Sequence, residues 1–335
     1  MTGCLAARLA RRIERDGPIS LAEFIALSNT AYYAGRDPFG RGGDFTTAPE
    51  ISQMFGEIAG LWCVDAWKRL DRPAEFRLIE LGPGRGVLMA DALRAARLEP
   101  AFRPEVHLVE TSPVLRSLQR AQGFDAVWHD SPDTIPSGPS IWIANEFFDA
   151  LPIRQFVRIG GSWHERLVDL DGDGLRFVAG PALRHAGAGE EGDIAEVCPA
   201  AGGIAAALAA RSGYGLAIDY GYVEPSGRPT VQAVSGHDPV DPLSRPGEAD
   251  MSAHVDFAAL MRAGREAGAA VWGPVPQGEW LRRLGIEARA ARLGGQDDAL
   301  ARLTGEDAMG RLFRVLAFGP AGAPAPAGFL DGEGG

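Results

Sequence analysis

Phe76-Arg77-Leu78-Ile79-Glu80-Leu81-Gly82-Pro83-Gly84-Arg85-Gly86, followed by Val87-Leu88-Met89-Ala90-Asp91-Ala92-Leu93-Arg94, is the stretch around which the chain is organised. It reads as a short apolar strand, a tight turn on three glycines, and an amphipathic helix with Leu88, Ala92 and Leu93 on one side. Glycines at such a turn let the backbone approach a ligand closely, and the following helix offers unpaired N–H groups at its positive end. The spacing is G-x-G-x-G, over Gly82, Gly84 and Gly86. A dinucleotide fingerprint requires its third glycine at position 87, which is Val87. Glu80 at the loop entrance repels a pyrophosphate and suits a cation. The turn therefore points away from NAD and toward S-adenosylmethionine, whose amino group and sulfonium are both positive.

The 335 residues fit one elaborated α/β domain or two smaller ones, long enough to bury a substantial core. A net charge of -11 argues against a general nucleic-acid binder. Cys4, Cys63 and Cys198 are far apart and show no C-x-x-C spacing, as expected of reduced thiols. No apolar run reaches the roughly 18 residues of a spanning helix, so no membrane partner is expected. Arginines and alanines near the N-terminus hint at a transit peptide, but Glu14 and Asp16 interrupt them. A cytoplasmic protein is the expectation.

Two short helices are predicted over 4–15 and 20–28, and another from Thr47, with Thr47 and Glu50 at capping-box spacing. Its apolar stripe is Ile51, Phe55, Ile58 and Trp62, a core face. The preceding Gly42-Gly43-Asp44-Phe45-Thr46-Thr47 joins glycines, an acid and hydroxyls in a loop suited to covering a ligand. After the glycine turn, Glu105–Glu110 reads as a second strand, with Ser112 capping the next helix and Pro113 in its first position. An acid at that strand tip, here Glu110, can accept from both ribose hydroxyls. A third strand ends at His129-Asp130, where Asp130 is either an adenine acceptor or a turn residue. The fourth strand, Ser140–Ala144, runs into Asn145-Glu146-Phe147-Phe148-Asp149-Ala150-Leu151-Pro152. Ligands in open α/β sheets sit beyond the carboxyl ends of strands. Glu146 and Asp149 are therefore candidates to hold a guanidinium, the alternative being a helix cap by Asn145 and pairing with nearby arginines.

Segments over 153–179 alternate as an antiparallel meander. Its turn Asp169–Gly180 mimics the start of an EF-hand loop but ends in Gly180 instead of a glutamate, so a hairpin is expected. Residues 180–200 read as a mobile connection, followed by a helix at 201–211 and a strand at 215–218 that ends in Asp219-Tyr220-Gly221-Tyr222. The loop from Val223 to Asp250 is long enough to be functional or disordered. His237, His254 and the acids around them lack tight ligand spacing, and no metal is expected. Helix 252–267, strand 269–272, helix 277–284 and strand 312–318 complete the reading, with 319–335 a disordered tail.

Four blocks together resemble the MidA-like family of class I S-adenosylmethionine-dependent methyltransferases. They are Gly43–Ser52, Glu80–Gly86 with Leu88–Asp91, Asn145–Pro152, and Asp250–Phe257, and the likeness covers roughly residues 17–318. The mitochondrial members of that family are arginine methyltransferases that assist assembly of respiratory complex I. The resemblance implies a Rossmann-like α/β fold with a seven-stranded, mostly parallel sheet whose last strand is antiparallel. It implies an N-terminal helical region over 1–72 and a methyltransferase domain over 73–318, with the antiparallel insertion at about 153–200. S-adenosylmethionine is expected against Asp44, Thr46, Glu80, Gly82, Pro83, Gly84, Gly86, Leu88, Glu110, Asp130 and Asn145. Glu146 and Asp149 are the expected catalytic pair, acting on an arginine-containing protein by symmetric dimethylation. A small-molecule methyltransferase and a cofactor-binding assembly factor with little turnover are the competing readings. Oligomeric state is left open.

Overall fold

The computed structural model describes residues 5–34, 46–183 and 189–332. Its central sheet contains β1 (Arg77–Leu81), β2 (Glu105–Val109), β3 (Val127–His129), β4 (Ser140–Asn145), β5 (Gly213–Tyr222), β6 (Ala270–Pro276) and β7 (Phe313–Gly319). These lie in the order β6-β7-β5-β4-β1-β2-β3, and β7 runs antiparallel to both of its neighbours. The pairs β5–β4, β4–β1, β1–β2 and β2–β3 are parallel. A two-residue strand, Val255–Asp256, pairs beside the end of β5.

Side chains alternate across the strands, so each strand feeds two cores. Leu78, Leu108, Ile141, Ile143, Leu216 and Val315 enter one apolar cluster. Their neighbours Ile79, Val109, Trp142, Ala144, Ala217 and Leu316 enter the other. Such two-sided burial explains the continuous apolar run of Ile141-Trp142-Ile143-Ala144.

The helices are α1 (Leu5–Asp16), α2 (Leu21–Ala34), α3 (Ala48–Ile51), α4 (Gln53–Arg69), α5 (Val87–Ala96), α6 (Pro113–Ala121), α7 (Pro199–Ala209), α8 (Phe257–Glu266), α9 (Gln277–Arg283), α10 (Ile286–Leu293), α11 (Asp297–Thr304) and α12 (Met309–Leu312). Helix α4 buries Phe55, Ile58 and Trp62 as the stripe required, and packs on α5 at backbone distance through Gly56 and Gly60. A Cβ on Gly60 would lie 2.4 Å from the carbonyl oxygen of Ala92. Helices α7 and α8 cover the opposite face, where Ala205, Leu208, Phe257 and Leu260 are buried.

The N-terminal region divides. Helices α1 and α2 pack on the meander and on the segment 231–253 through Leu9, Ile13, Phe24, Ile25, Val168 and Met251, whereas α4 packs on the central sheet. Strand Ile19–Ser20 joins the meander sheet, in the order 19–20, 162–171, 154–159, 194–197, with 174–182 paired to 162–171. Asp171 and Gly174 close the expected hairpin.

Several expectations are corrected. Thr47 does not cap its helix through its side chain; the helix is a single turn, and Ser52 starts α4 by accepting from Met54 N at 3.3 Å. Within 180–200, residues 194–197 form a strand and α7 begins at Pro199, because the meander needs an edge partner for 154–159. The 223–250 loop contributes two strands, 232–235 and 238–240, which form a small sheet with 250–252. Helix α8 starts at Phe257, where the Asp256 carboxylate accepts from Ala259 N. The tail over 319–335 is not loose in its described part. Phe329 is buried, and the Ala327 and Gly328 carbonyls accept from Trp62 Nε1 and Arg283.

Gly60→Ala should cost about 2 kcal/mol or more, because the α4–α5 approach leaves no room for a methyl group. Urea unfolding measures it, and an unchanged midpoint would contradict this packing.

Candidate functional site

Parallel strands bring their carboxyl ends to one edge, and β1, β4 and β5 each deliver an acid there. Glu80 lies in β1 and is 2 % exposed; Asp219 lies in β5 and is 0 % exposed. Glu146 follows β4 directly and adopts a left-handed φ of 50°, a conformation that β-carbon sterics disfavour. What holds it there is visible. Glu146 N donates to Ile218 O at 2.9 Å, and its Oε1 accepts from Ala48 N at 2.9 Å and from Asn145 Nδ2 at 3.2 Å. That carboxylate supplies the cap of α3 that the Thr47 side chain does not. Asp219 secures the rest of the turn, its Oδ2 accepting from the N–H groups of Phe148 at 3.0 Å and Asp149 at 3.2 Å. Asp149 in turn accepts from the Tyr220 hydroxyl at 2.7 Å.

Two cavities flank this turn and share Tyr33 and Glu146 as walls. The first, of about 430 Å³, is lined by Gly82, Gly84, Glu110, Ser112 and Phe147 among others. Gly82 and Gly84 have φ of 61° and 53°, and a Cβ on Gly82 would reach 3.1 Å from the Phe147 ring. Glu110 is buried, with Oε1 accepting from Ser112 N at 2.7 Å. The second cavity, of about 270 Å³, is lined by Thr46, Glu146, Asp149, Tyr220, Asp250 and His254 among others. A recess of about 40 Å³ between them is bounded by Glu80, Pro83, Leu88 and Asn145.

Electrostatics separate this site from an ordinary turn. Burial pushes the Glu80 carboxyl up to about 8 and Glu146 to about 8, the Ala48 N–H acting against the latter. Burial raises Asp149 to about 6, with the Tyr220 hydroxyl opposing. Asp219 is raised well above the carboxylate range, first by burial and then by the charges of Asp149 and Glu146. Among the described residues, Glu80 Oε2, Asn145 Oδ1 and Asp149 Oδ1 are buried acceptors without a hydrogen-bond partner. Such atoms are costly unless a ligand donates to them. An ammonium beside Glu80, and a cationic donor beside Asp149, are the groups that fit. S-adenosylmethionine carries the first in its amino group.

Most residues proposed from sequence are brought together, and some are not. Gly82, Gly84 and Glu110 line the first cavity, while Glu80, Pro83, Leu88 and Asn145 bound the recess. Gly86 sits at the N-terminus of α5 against Gln119, supporting the turn. Thr46 lines the second cavity instead of the first. The Asp130 side chain is 83 % exposed and pairs with Arg116 at 2.6 Å, so it stands outside both cavities. Asp44 lies outside the described residues. Sequence reasoning gave no site role to Asn29, Tyr33, Asp219 or Tyr220. The strand-end rule that singled out Glu146 applies equally to Asp219-Tyr220, whereas Asn29 and Tyr33 on α2 gave no local signal.

Residues 58–275 match the family described as "Putative S-adenosyl-L-methionine-dependent methyltransferase". The chain belongs to this family. This methyltransferase is 37% identical to the mitochondrial protein arginine methyltransferase NDUFAF7 of Xenopus tropicalis, across 85% of this chain and 76% of that protein. It is 36% identical to the Homo sapiens protein of the same name, across 84% and 73%. A Burkholderia thailandensis protein described as a candidate methyl transferase, solved with S-adenosyl-homocysteine bound, superposes with a TM-score of 0.85. It shares 28% identity and the match covers 97% of this chain and 93% of that one. The fold is thus that of an S-adenosylmethionine-dependent methyltransferase, and that cofactor is the methyl source. The expected cytoplasmic location is corrected, because these two curated relatives are named as mitochondrial proteins. No helix among the described residues is long and apolar enough to cross a membrane.

Glu80 and Glu146 carry an ordinary value of 4.5 and are pushed to about 8 when folded, so the native methyltransferase keeps protons that the unfolded chain has shed. Stability of the ligand-free protein should therefore fall as pH rises from about 5.5 to about 7.5. Melting temperatures across that range check it, with Glu80→Gln expected to flatten the slope; a rise with pH would contradict the burial argument.

Proposed function

We propose that this chain transfers methyl groups to arginine side chains of proteins. The single observation that carries the reading is the second cavity, where Glu146, Asp149 and Asp250 converge and where, among the described residues, His254 is the one basic side chain in the lining. Burial lowers the His254 imidazole below its ordinary value, which leaves it neutral at pH 7. A pocket of that kind recognises a cation, and the guanidinium matches paired carboxylates bidentately. The naming of the relatives as protein arginine methyltransferases supports the same substrate. Symmetric dimethylation of a subunit of a complex I type respiratory enzyme is the finer form of the proposal, and the family resemblance is its support.

In this reading Glu80 and Asn145 hold the amino end of the cofactor, Gly82, Pro83 and Gly84 let it lie against the backbone, Leu88 closes the recess, and Glu110 accepts from its ribose. When bound, S-adenosylmethionine supplies an electrophilic methyl group on a positively charged sulfur. Glu146 is the wall between the cavities and orients the acceptor nitrogen toward the first. A guanidinium is a poor nucleophile because its charge is delocalised. Asp149 keeps one oxygen unpartnered and buried, so it can bind the guanidinium and take the proton that a methylated nitrogen sheds. Tyr220 fixes the other oxygen of Asp149.

Incubation of the protein with labelled S-adenosylmethionine and lysate from a strain lacking this gene should label protein, with mass spectrometry locating the methyl group on arginine. Label confined to small molecules would overturn the proposal. Glu146→Gln keeps shape and an acceptor oxygen but removes the charge. It should leave cofactor affinity within about threefold and cut transfer about a hundredfold, roughly 2.7 kcal/mol of barrier. Parental turnover in that variant would remove Glu146 from the acceptor site.

A further inference from the structure

Helix α6 turns one polar side chain, Gln119, toward the segments that follow β1 and β2. Gln119 is 0 % exposed, and its amide is satisfied at both ends. Trp128 Nε1 donates to Gln119 Oε1 at 2.7 Å, while Gln119 Nε2 donates to Gly84 O at 2.7 Å and to Glu110 Oε2 at 3.4 Å. An indole N–H can only donate, so the amide oxygen must face Trp128 and the amide nitrogen must face the two acceptors. One group therefore joins the glycine turn after β1, the acid after β2 and the indole of β3. Gly84 and Glu110 line the first cavity, and Gln119 meets it through them. The Glu110 backbone is fixed separately, its N–H donating to His129 O at 3.0 Å and its carbonyl accepting from Arg116 Nε at 2.8 Å. What is left to hold is the carboxyl group. Ser112 N donates to its Oε1 at 2.7 Å, and Gln119 donates to its Oε2.

We propose that Gln119 is a positioning residue for cofactor selection, presenting Glu110 as a fixed acceptor and so setting the preference for a ribose over a deoxyribose. This rests on the reading of Glu110 as the ribose acceptor and deepens it. An ionised carboxylate only accepts, as two ribose hydroxyls require, whereas a protonated one competes with them as a donor. Burial raises the Glu110 carboxyl, and the N–H groups of Ser112 and Thr111, the Gln119 amide and the Arg116 charge oppose that rise. A single hydrogen bond from Ser112 leaves the carboxyl plane free to rotate about it; the second, from Gln119, removes that freedom. A residue needed only to satisfy the Trp128 indole would require an acceptor alone. The donor end of Gln119 goes instead to two groups that line the cavity. Because one nitrogen serves both Gly84 and Glu110, the glycine turn and the carboxylate keep a fixed separation. The turn also packs closely on the stem of this side chain, since a Cβ on Gly86 would lie 3.3 Å from Gln119 Cγ.

The test compares S-adenosylhomocysteine with its 2′-deoxy analogue by calorimetry, in the parental protein and in Gln119→Met, which keeps the length of the side chain and removes the amide. The parental protein should prefer S-adenosylhomocysteine by about tenfold or more, as a hydrogen bond to a charged acceptor requires. Gln119→Met should reduce that preference to about twofold or less. A purely structural role lowers both affinities together and leaves their ratio untouched. A parental ratio in Gln119→Met therefore overturns this proposal and leaves Glu110 as the ribose acceptor. Should Gln119→Met bind neither ligand, Trp128→Phe decides in its place. It keeps an aromatic ring but lets the amide turn end for end, and should lower the preference by about threefold; a parental preference there overturns the proposal. A parental protein that binds both ligands equally overturns the ribose reading of Glu110 and this proposal with it.

Discussion

Carboxyl groups buried with no arginine or lysine paired to them among the described residues impose the constraint on which this site depends. Glu80, Asp149 and Asp219 are nearly inaccessible, Glu146 is half-buried, and burial raises each of the four. Desolvating an ionised acid is expensive, and the usual escape is a partner arginine or lysine. Elsewhere the chain uses that escape: Glu57 is flanked by Arg94 and Arg289, which hold its carboxyl below the usual range against the desolvation that would raise it. At the strand ends, among the described residues, no arginine or lysine forms an ion pair with these acids, and only the more distant charge of Arg302 acts on Glu146. Backbone N–H groups take the place of side-chain cations, with Ala48 serving Glu146, and Phe148 and Asp149 serving Asp219. The charge requirement is left for ligands to meet.

This arrangement explains the unusual backbone around Glu146. A left-handed non-glycine residue persists only when its surroundings over-determine it. Here the β4–β5 pairing, the cap on α3 and the Asp219 bridge act on consecutive residues. The turn is rigid for the same reason that its acids are poised, since the hydrogen bonds that hold it are the ones that orient the carboxylates. Helix α2 and strand 250–252 then close the second cavity, which makes the N-terminal region part of the site.

Much of the fold was legible because its signals are local. The apolar run of Ile141–Ala144, the G-x-G-x-G turn and the Ser112-Pro113 start of α6 each follow from short-range chemistry, and Ser112 indeed accepts from Leu115 N at 3.3 Å. The strand-end rule pointed to Glu110 and Glu146, and the entrance of the glycine turn pointed to Glu80; all three line a cavity or the recess. Helices α10 to α12 were missed because they are short and start without a side-chain cap, α10 from Gly285 at a φ of 86°. The Tyr33 hydroxyl donates to the Asp250 carboxylate from 217 positions away, and no periodicity or spacing reports such a pair. For Asp130 the strand-end position left an adenine acceptor and a turn residue as alternatives, because such a position does not by itself fix direction; its exposed side chain pairs with Arg116.

Proton release on cofactor binding tests the central claim most directly. Calorimetry of S-adenosylmethionine binding at about pH 6.5, in buffers of different ionisation enthalpy, reads the protons exchanged. If positive charge enters beside buried acids that hold protons, net protons are released, and Glu80→Gln reduces the release. Binding without proton release in the parental protein, or with uptake, would contradict the account.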